Sequence, residues 1–307
     1  MAVKRQEHAQ VVPDGQLGGL HGRETAYRRC PWRGIAVRRR LTPMKDYEFS
    51  GKTVLVTGAS MGLGAVFARE LSRLGARLVL VARSRDRLEE LAKELNGAEV
   101  IAEDLGRPGA AQRVFDAVTA KGLDVDVLVN NAGFGLHGSF GELPIASQRE
   151  ENDLNVGALV ELTHVFLPMI ERRQGGVIQV ASTAAFQPVP YLAVYGATKA
   201  FVLSFSEALW AEYRPRGVRV LALCPGSPET AFFERAGEGA ALGKKAAPEV
   251  VVRLGLRAFR AGRSSVVHGT GNYFTSLLAR FATREFTAKI SAWLMKPRPQ
   301  ELAAGPQ

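Results

Sequence analysis

The sequence predicts an α/β protein: a single doubly wound domain, with a parallel sheet of about seven strands and helices on both faces. Three observations carry this. Short β-branched apolar runs alternate with helically patterned segments from Lys52 onward, the mark of a parallel sheet covered on both sides. The first of these runs leads straight into a glycine-rich turn and then a helix. The composition, 46% hydrophobic and 23% charged over 307 residues, suits one large core, and no second domain or internal repeat is visible.

Taken in order, strands are expected at 53–57 (TVLVT), 77–82 (RLVLVA), 99–102, 125–130 (VDVLVN), 176–181 (GVIQVA), 218–224 (VRVLALC) and 265–268. Helical spacing fills 65–74 and 85–95, and helices apolar on more than one side are expected around 155–172 and 196–213. The stretch 274–294 (FTSLLARFATREFTAKISAWL) is amphipathic, with Leu277, Leu278, Phe281, Ile290, Trp293 and Leu294 at helical spacing. Core or subunit packing is its expected use, and association with a membrane surface the lesser reading.

Residues 1–43 show no sustained periodicity and hold nine Lys/Arg against three acids, a surplus of six within the chain's +10. They read as a disordered basic extension, with Met44 as the expected natural start. Residues 44–296 form the expected domain, and 297–307 a frayed tail. Without the extension the charge is nearly balanced, which argues against nucleic acid as a partner. Cys30 and Cys224 lie in no CxxC and beside no His cluster, so neither a disulfide framework nor a metal site is expected, and a reducing, cytoplasmic setting is. The sequence shows no secretory h-region and no uninterrupted apolar run of bilayer length. His137 and His164 have no partner spacing that suggests a relay or a ligand.

The first functional motif is TGASMGLG, from Thr57 through Gly58, Ser60, Met61, Gly62 and Leu63 to Gly64. A glycine-rich turn between a strand and a helix lets backbone approach a pyrophosphate, and the helix start offers free N–H groups. The second strand ends at Ala82 without the acid that usually receives the ribose 2′-hydroxyl of NAD; Arg83 and Ser84 stand there instead. An Arg at that place suits a 2′-phosphate, so NADP(H) is favoured over NAD(H). Asp104, followed by Leu105, is a candidate acceptor for the adenine amino group or a loop cap.

Six features then occur together and in order: TGASMGLG, NNAG (130–133), Asn155 in LNVG, Ser182 in VAST, Tyr195 and Lys199 in VYGATKAF, and Pro225-Gly226 closing the sixth strand. Over roughly 50–275 the chain resembles the short-chain dehydrogenase/reductase family, on a Rossmann fold. The Ala-Arg-Ser tip of strand two, with CPG…T…FFE (224–234), is similar to an NADP-preferring subgroup of broad substrate range, whose relatives include 17β-hydroxysteroid and 3-oxoacyl reductases. The SPET element (227–230) departs from the usual pattern. The resemblance implies that Asn131, Ala132 and Gly133 line the adenosine-ribose side. It implies a catalytic tetrad of Asn155, Ser182, Tyr195 and Lys199, with Tyr195 and Lys199 also touching cofactor. Pro225, Gly226 and Thr230 would approach the nicotinamide half. It also implies a homodimer or homotetramer.

The residue types fit carbonyl reduction. Ser182 and Tyr195 can both hydrogen-bond a developing oxyanion, and Tyr195 can deliver the proton. Lys199, one turn on, together with the charge of an oxidised nicotinamide in a dry site, is expected to lower the tyrosine's pKa; three units would need about 4 kcal/mol. Asn155, where the helix is interrupted, is expected to hold a water that relays protons to Lys199. Phe134, Leu136, Phe186, Val189, Tyr191, Leu192, Phe232 and Phe233 suggest an apolar pocket, hence a small hydrophobic or acyl-like ketone or alcohol, with 231–247 (Lys244 and Lys245 included) as a mobile lid. The rival expectation is a dinucleotide-binding regulator without significant turnover.

Overall fold

The β-branched runs pair side by side into one sheet, all parallel. The computed structural model describes residues 44–95, 97–226, 246–278 and 281–296. Its strands are β1 (Thr53–Thr57), β2 (Arg77–Ala82), β3 (Glu99–Ala102), β4 (Val127–Asn130), β5 (Gly176–Val180), β6 (Arg219–Cys224) and β7 (Ser265–Val267), in the order β3-β2-β1-β4-β5-β6-β7. The order reverses between β1 and β4. In open α/β sheets that switch point leaves a crevice at the carboxyl ends of the strands, where ligands bind.

Strand side chains alternate, so each strand feeds two cores. Val54, Val56, Leu80, Val129 and Leu223 join one cluster with residues of α1 (Gly62–Arg73), α2 (Arg85–Glu94) and α7 (Pro248–Arg260). Leu55, Val79, Leu128, Val177 and Val220 join the other with α3 (Ala110–Ala120) and α5 (Leu159–Arg172). Burial on both faces is why the strands read as continuous apolar runs. The residues ahead of β1 close one edge of the core: Phe49 lies 5.7 Å from Phe259 of α7 and Tyr47 lies 5.3 Å from it.

At the amino ends of the strands sits Asp126, fully buried. Its carboxylate accepts from the Thr53 N–H (2.9 Å), Arg173 Nε (3.0 Å) and Lys52 Nζ (3.2 Å). Burial alone would raise its pKa, but these donors hold it below the ordinary carboxylate value. The same residue explains why β4 starts two residues later than the alternation suggests. The Asp126 side chain turns in to its donors, and the Val125 N–H meets the Met169 sulfur at 3.1 Å.

Strands β5, β6 and β7 are each one residue shorter than expected, and the helices add detail of their own. Helix α4 (Ile145–Asn152) runs into α5 through a π-turn at Asp153–Ala158, which is the interruption expected near LNVG. The continuous stretch Ile145–Arg172 is long and apolar enough by composition to cross a membrane, although no uninterrupted apolar run stood out; half of its most apolar window is buried. That burial against the sheet makes it a core helix. The amphipathic stretch 274–294 is two helices, α8 (Thr270–Leu278) and α9 (Arg284–Met295). The second starts at Thr283, whose hydroxyl caps the Phe286 N–H at 3.3 Å.

Candidate active site

The crevice at the switch point is floored by the glycine loop. Gly58 has φ +64°, and a Cβ there would meet the Ala132 Cα and the Asn131 Nδ2 at 2.9 Å. At Gly64 a Cβ would lie 2.7 Å from Asn131 Nδ2 and closer still to the Gly58 carbonyl. So the loop folds against β4, and only glycine fits at these two turns. Thr57 and Asn131 stitch the two strands together. The Thr57 hydroxyl donates to the Val129 carbonyl (3.2 Å) and accepts from the N–H groups of Asn131 (3.0 Å) and Ala132 (3.1 Å). The Asn131 amide donates to the Thr57 carbonyl at 2.9 Å. Thr57 is buried and its hydroxyl committed, so backbone is what it can offer a ligand.

Helix α1 begins behind this loop with Met61 at its N-cap, no side-chain cap and no acid in the first turn. Its first N–H groups and positive dipole end therefore suit an anion. Ser60 and Leu63 are half-buried and Met61 is exposed along the same rim. At the tip of β2, Arg83 and Ser84 are exposed, and their side chains make no hydrogen bond or ion pair among the described residues. Neighbouring Arg85 pairs with Glu89 at 3.6 Å. Asp104 is partly used by its own loop: Oδ1 accepts from the Gly106 N–H at 3.2 Å and Oδ2 lies 3.6 Å from Arg107. The Leu105 side chain is buried in the core. These observations fit a dinucleotide: a cradle no Cβ can enter, an uncapped helix start, and at the tip of β2 an exposed arginine with no partner among the described residues.

Beyond β5 the remaining candidates converge. Ser182 ends the strand in extended conformation and caps a short 3-10 turn, its Oγ accepting from the Ala184 N–H at 3.1 Å. Its hydroxyl also hydrogen-bonds the phenol of Tyr195, in the first turn of α6 (Ala193–Tyr213). Lys199, one turn further on, is 5% exposed; its Nζ donates to the Val180 carbonyl at 2.8 Å and lies 5.7 Å from the centre of the Tyr195 ring. Asn155 is buried in the π-turn. Its side chain accepts from the Phe134 N–H (3.0 Å) and donates to the Phe134 carbonyl (2.8 Å) and Thr198 Oγ1 (3.2 Å). Gly133 passes so close that a Cβ would sit 2.7 Å from the Asn155 Oδ1 and 3.6 Å from Lys199 Nζ.

The electrostatics correct one expectation. Burial pushes the Tyr195 phenol up to about 12; the Ser182 hydrogen bond pulls it down and the charge of Glu151 pushes it up. Burial pushes Lys199 down to about 8, with Glu151 and Cys224 opposing. In the protein alone, desolvation outweighs any lysine effect, so the tyrosine is raised rather than lowered. The Asn155 side-chain amide has both donors engaged with Phe134 and Thr198, which leaves the second lone pair of Oδ1 and the backbone for the expected water.

Three contributors escaped the sequence reading. Thr198 accepts from Asn155, 43 residues away, and donates to the Tyr195 carbonyl at 2.8 Å, linking the two. Glu151, 1% exposed, sits within electrostatic reach of both Tyr195 and Lys199. It had hidden in the charged run REE, which reads as a solvated helix face. Asn272 of α8 faces Gly226, where a Cβ would meet its amide. Pro225 is buried, and its carbonyl accepts from the Thr183 N–H at 2.8 Å. Val189, Leu192 and Tyr191 form an apolar cluster with Tyr195, whereas Phe186 packs against a different cluster, which includes Leu159 and Val202, and Leu136 lines a separate small cavity beside Glu151. Thr230, Phe232, Phe233, Lys244 and Lys245 lie outside the described residues. Among the described residues no cluster of His, Cys, Asp and Glu could hold a metal ion.

Residues 52–241 match a sequence-family model described as short chain dehydrogenase. A very-long-chain 3-oxoacyl-CoA reductase of Anas platyrhynchos is 34% identical over 187 residues, which span 57% of this chain and 59% of that reductase's length. A short-chain dehydrogenase from Sphingobium yanoikuyae in complex with NADPH is 31% identical, with TM-score 0.68 over 75% of this chain and 93% of that one. A 3-ketoacyl-(acyl-carrier-protein) reductase from Brucella melitensis complexed with NADH is 27% identical, with TM-score 0.67 over 73% and 99%.

Proposed function

This chain belongs to the short chain dehydrogenase family, and from that premise we propose that it is an NADP(H)-dependent oxidoreductase interconverting a ketone and a secondary alcohol on a hydrophobic or acyl-like substrate. The observation that carries the reading is the meeting of Ser182, Tyr195 and Lys199 at the end of β5, beside the glycine loop's crevice.

A bound nicotinamide dinucleotide would supply or accept the hydride. Gly58, Gly64 and the open start of α1 would hold its pyrophosphate, and Arg83 with Ser84 its 2′-phosphate. The Ser182 hydroxyl and the Tyr195 phenol would both donate to the substrate oxygen. With a pKa near 12, Tyr195 keeps its proton at neutral pH and can give it up as charge builds on that oxygen. The phenolate left behind is hydrogen-bonded by Ser182 and faces the cation of Lys199, which at a pKa of about 8 is still mostly charged at pH 7. Asn155 and Thr198 hold the first turn of α6 against the Phe134 backbone, so the tyrosine keeps its place. Val189, Leu192 and Tyr191 make the surroundings apolar, which supports a hydrophobic substrate.

The test is a panel of ketones and alcohols followed at the nicotinamide absorbance. Tyr195→Phe should lower turnover about 1,000-fold, within the usual range for a general acid–base. The rise in melting temperature on adding NADPH should persist in the variant and exceed that with NADH. Undiminished turnover by Tyr195→Phe overturns the role of Tyr195, and a larger stabilisation by NADH overturns the cofactor preference.

A further inference from the structure

The C-terminal helix touches the site at one point. Helix α9 exposes Phe286, Ile290, Trp293 and Leu294, and Met295 is its one buried residue, 2% exposed. The Met295 side chain packs with Val189 and Leu192 in the cluster that also includes Tyr191 and Tyr195. Its carbonyl lies 3.1 Å from His137 Nε2, across 158 residues of sequence. His137 in turn stands edge-on to the Tyr191 ring, 6.4 Å between centres. The next residue, Gly138, donates its N–H to the Tyr191 carbonyl at 2.8 Å. Tyr191 itself has φ +64°, a left-handed conformation that a bulky residue keeps only where its surroundings over-determine it. Three distant segments therefore meet beside Tyr195, and a strained tyrosine is held among them. A mostly exposed helix is anchored there by a single thioether.

We propose that Met295 is a specificity-determining residue: its side chain bounds the apolar cluster beside Tyr195 against which a substrate would lie, and the His137 contact with its carbonyl fixes where that side chain stands. This rests on the oxidoreductase reading above. A substrate whose carbonyl reaches Tyr195 would place one flank against Val189 and Leu192, and so would meet Met295, which packs with them. Methionine is unbranched and adaptable, so it can yield to that flank. Shortening the side chain admits a bulkier flank, and an aromatic ring shuts it out.

The experiment compares wild type with Met295→Ala, Met295→Phe and His137→Ala on a ketone series running from short methyl ketones to aryl alkyl ketones. Each is read as kcat/KM and, with NADP⁺ present so that no reduction occurs, as a ketone dissociation constant by calorimetry. Met295→Ala should raise the bulky-to-small ratio about tenfold and Met295→Phe should lower it about tenfold, in line with the worth of one or two methylenes in a pocket. His137→Ala should move the ratio in the same direction as Met295→Ala, by less. If Met295→Ala does not fold, Met295→Phe and His137→Ala decide. Ratios within twofold of wild type in the folded variants overturn the proposal. A wild type that reduces no ketone overturns the oxidoreductase reading instead, and the dissociation constants still decide on Met295.

Discussion

The two ends of the sheet treat buried charge in opposite ways. At the amino ends, Asp126 is fully buried yet surrounded by a backbone N–H, an arginine and a lysine, and its pKa is held low. At the carboxyl ends, Lys199 is buried and Tyr195 partly buried with less compensation, and both are pushed toward their neutral forms. The first arrangement fixes a charge; the second leaves two groups able to exchange a proton. The same sheet thus places its stabilising ionic contact and its reactive pair at opposite poles. Asp126 and Lys199 are both buried, so the difference between them lies in how many partners of opposite polarity reach the group.

Removing Asp126 is the largest break at the fixed pole. Asp126→Ala strands the Thr53 N–H and takes the carboxylate from Arg173 and Lys52, which should cost about 3 kcal/mol of stability. Urea unfolding measures this, and kcat of the folded fraction should stay near wild type. A loss below about 1 kcal/mol would show that the network is ornamental. The sign with pH is also set. A depressed acid contributes stability above its unfolded pKa and loses it as pH falls through its folded pKa, so the gap between wild type and variant should close under acid conditions.

At the reactive pole the next effect is smaller and concerns the uncommitted cation at the tip of β2. Arg83 has no protein partner among the described residues, so its removal should leave stability untouched. Arg83→Ala should weaken NADPH binding about tenfold, or about 1.4 kcal/mol, and leave NADH binding unchanged. Equal losses for the two dinucleotides would mean that Arg83 reads something other than the 2′-phosphate.

How legible each pole was in the sequence follows from the range of its interactions. Strands β1 and β2 could be bounded to the residue, because an apolar run buried on both faces announces itself locally. The start of β4 could not, since it depends on a side chain turning toward partners 47 and 73 residues away. At the site, the glycine loop and the tyrosine–lysine spacing are local patterns and stood out. Thr198 and Glu151 matter through contacts that cross the chain, and nothing in their neighbourhood marks them. His137 was set aside for want of a partner at motif spacing; its partner is the backbone of Met295, which no spacing rule can reveal. The single amphipathic helix expected at the C-terminus became two because Thr283 caps a new start, a local signal outweighed by the longer apolar pattern.

The smallest predicted effect tests the comparison most directly, because it runs against the usual sign. At pH 7 the unfolded chain and the folded protein both hold the Lys199 proton, and the folded one carries the full burden of burying it. A fall from 10.5 to about 8 corresponds to about 3 kcal/mol. Lys199→Met removes that burden and also the bond to the Val180 carbonyl, whose loss costs about 2 kcal/mol. The variant, although inactive, should therefore be more stable than wild type by about 1 kcal/mol at pH 7 without dinucleotide. Between pH 8 and 10 the unfolded lysine still binds its proton while the folded one releases it, so wild-type stability rises with pH and the variant's advantage shrinks or reverses. Tyr195, raised to about 12, acts with the opposite sign only above pH 10, and Cys224, also raised to about 12, acts with that sign from pH 9 in both proteins, so it is the difference between wild type and variant that belongs to the lysine. Urea unfolding at pH 7 and pH 9.5 gives both numbers. A variant markedly less stable than wild type at pH 7 would mean that Lys199 is as well compensated as Asp126, and the contrast between the poles would fall.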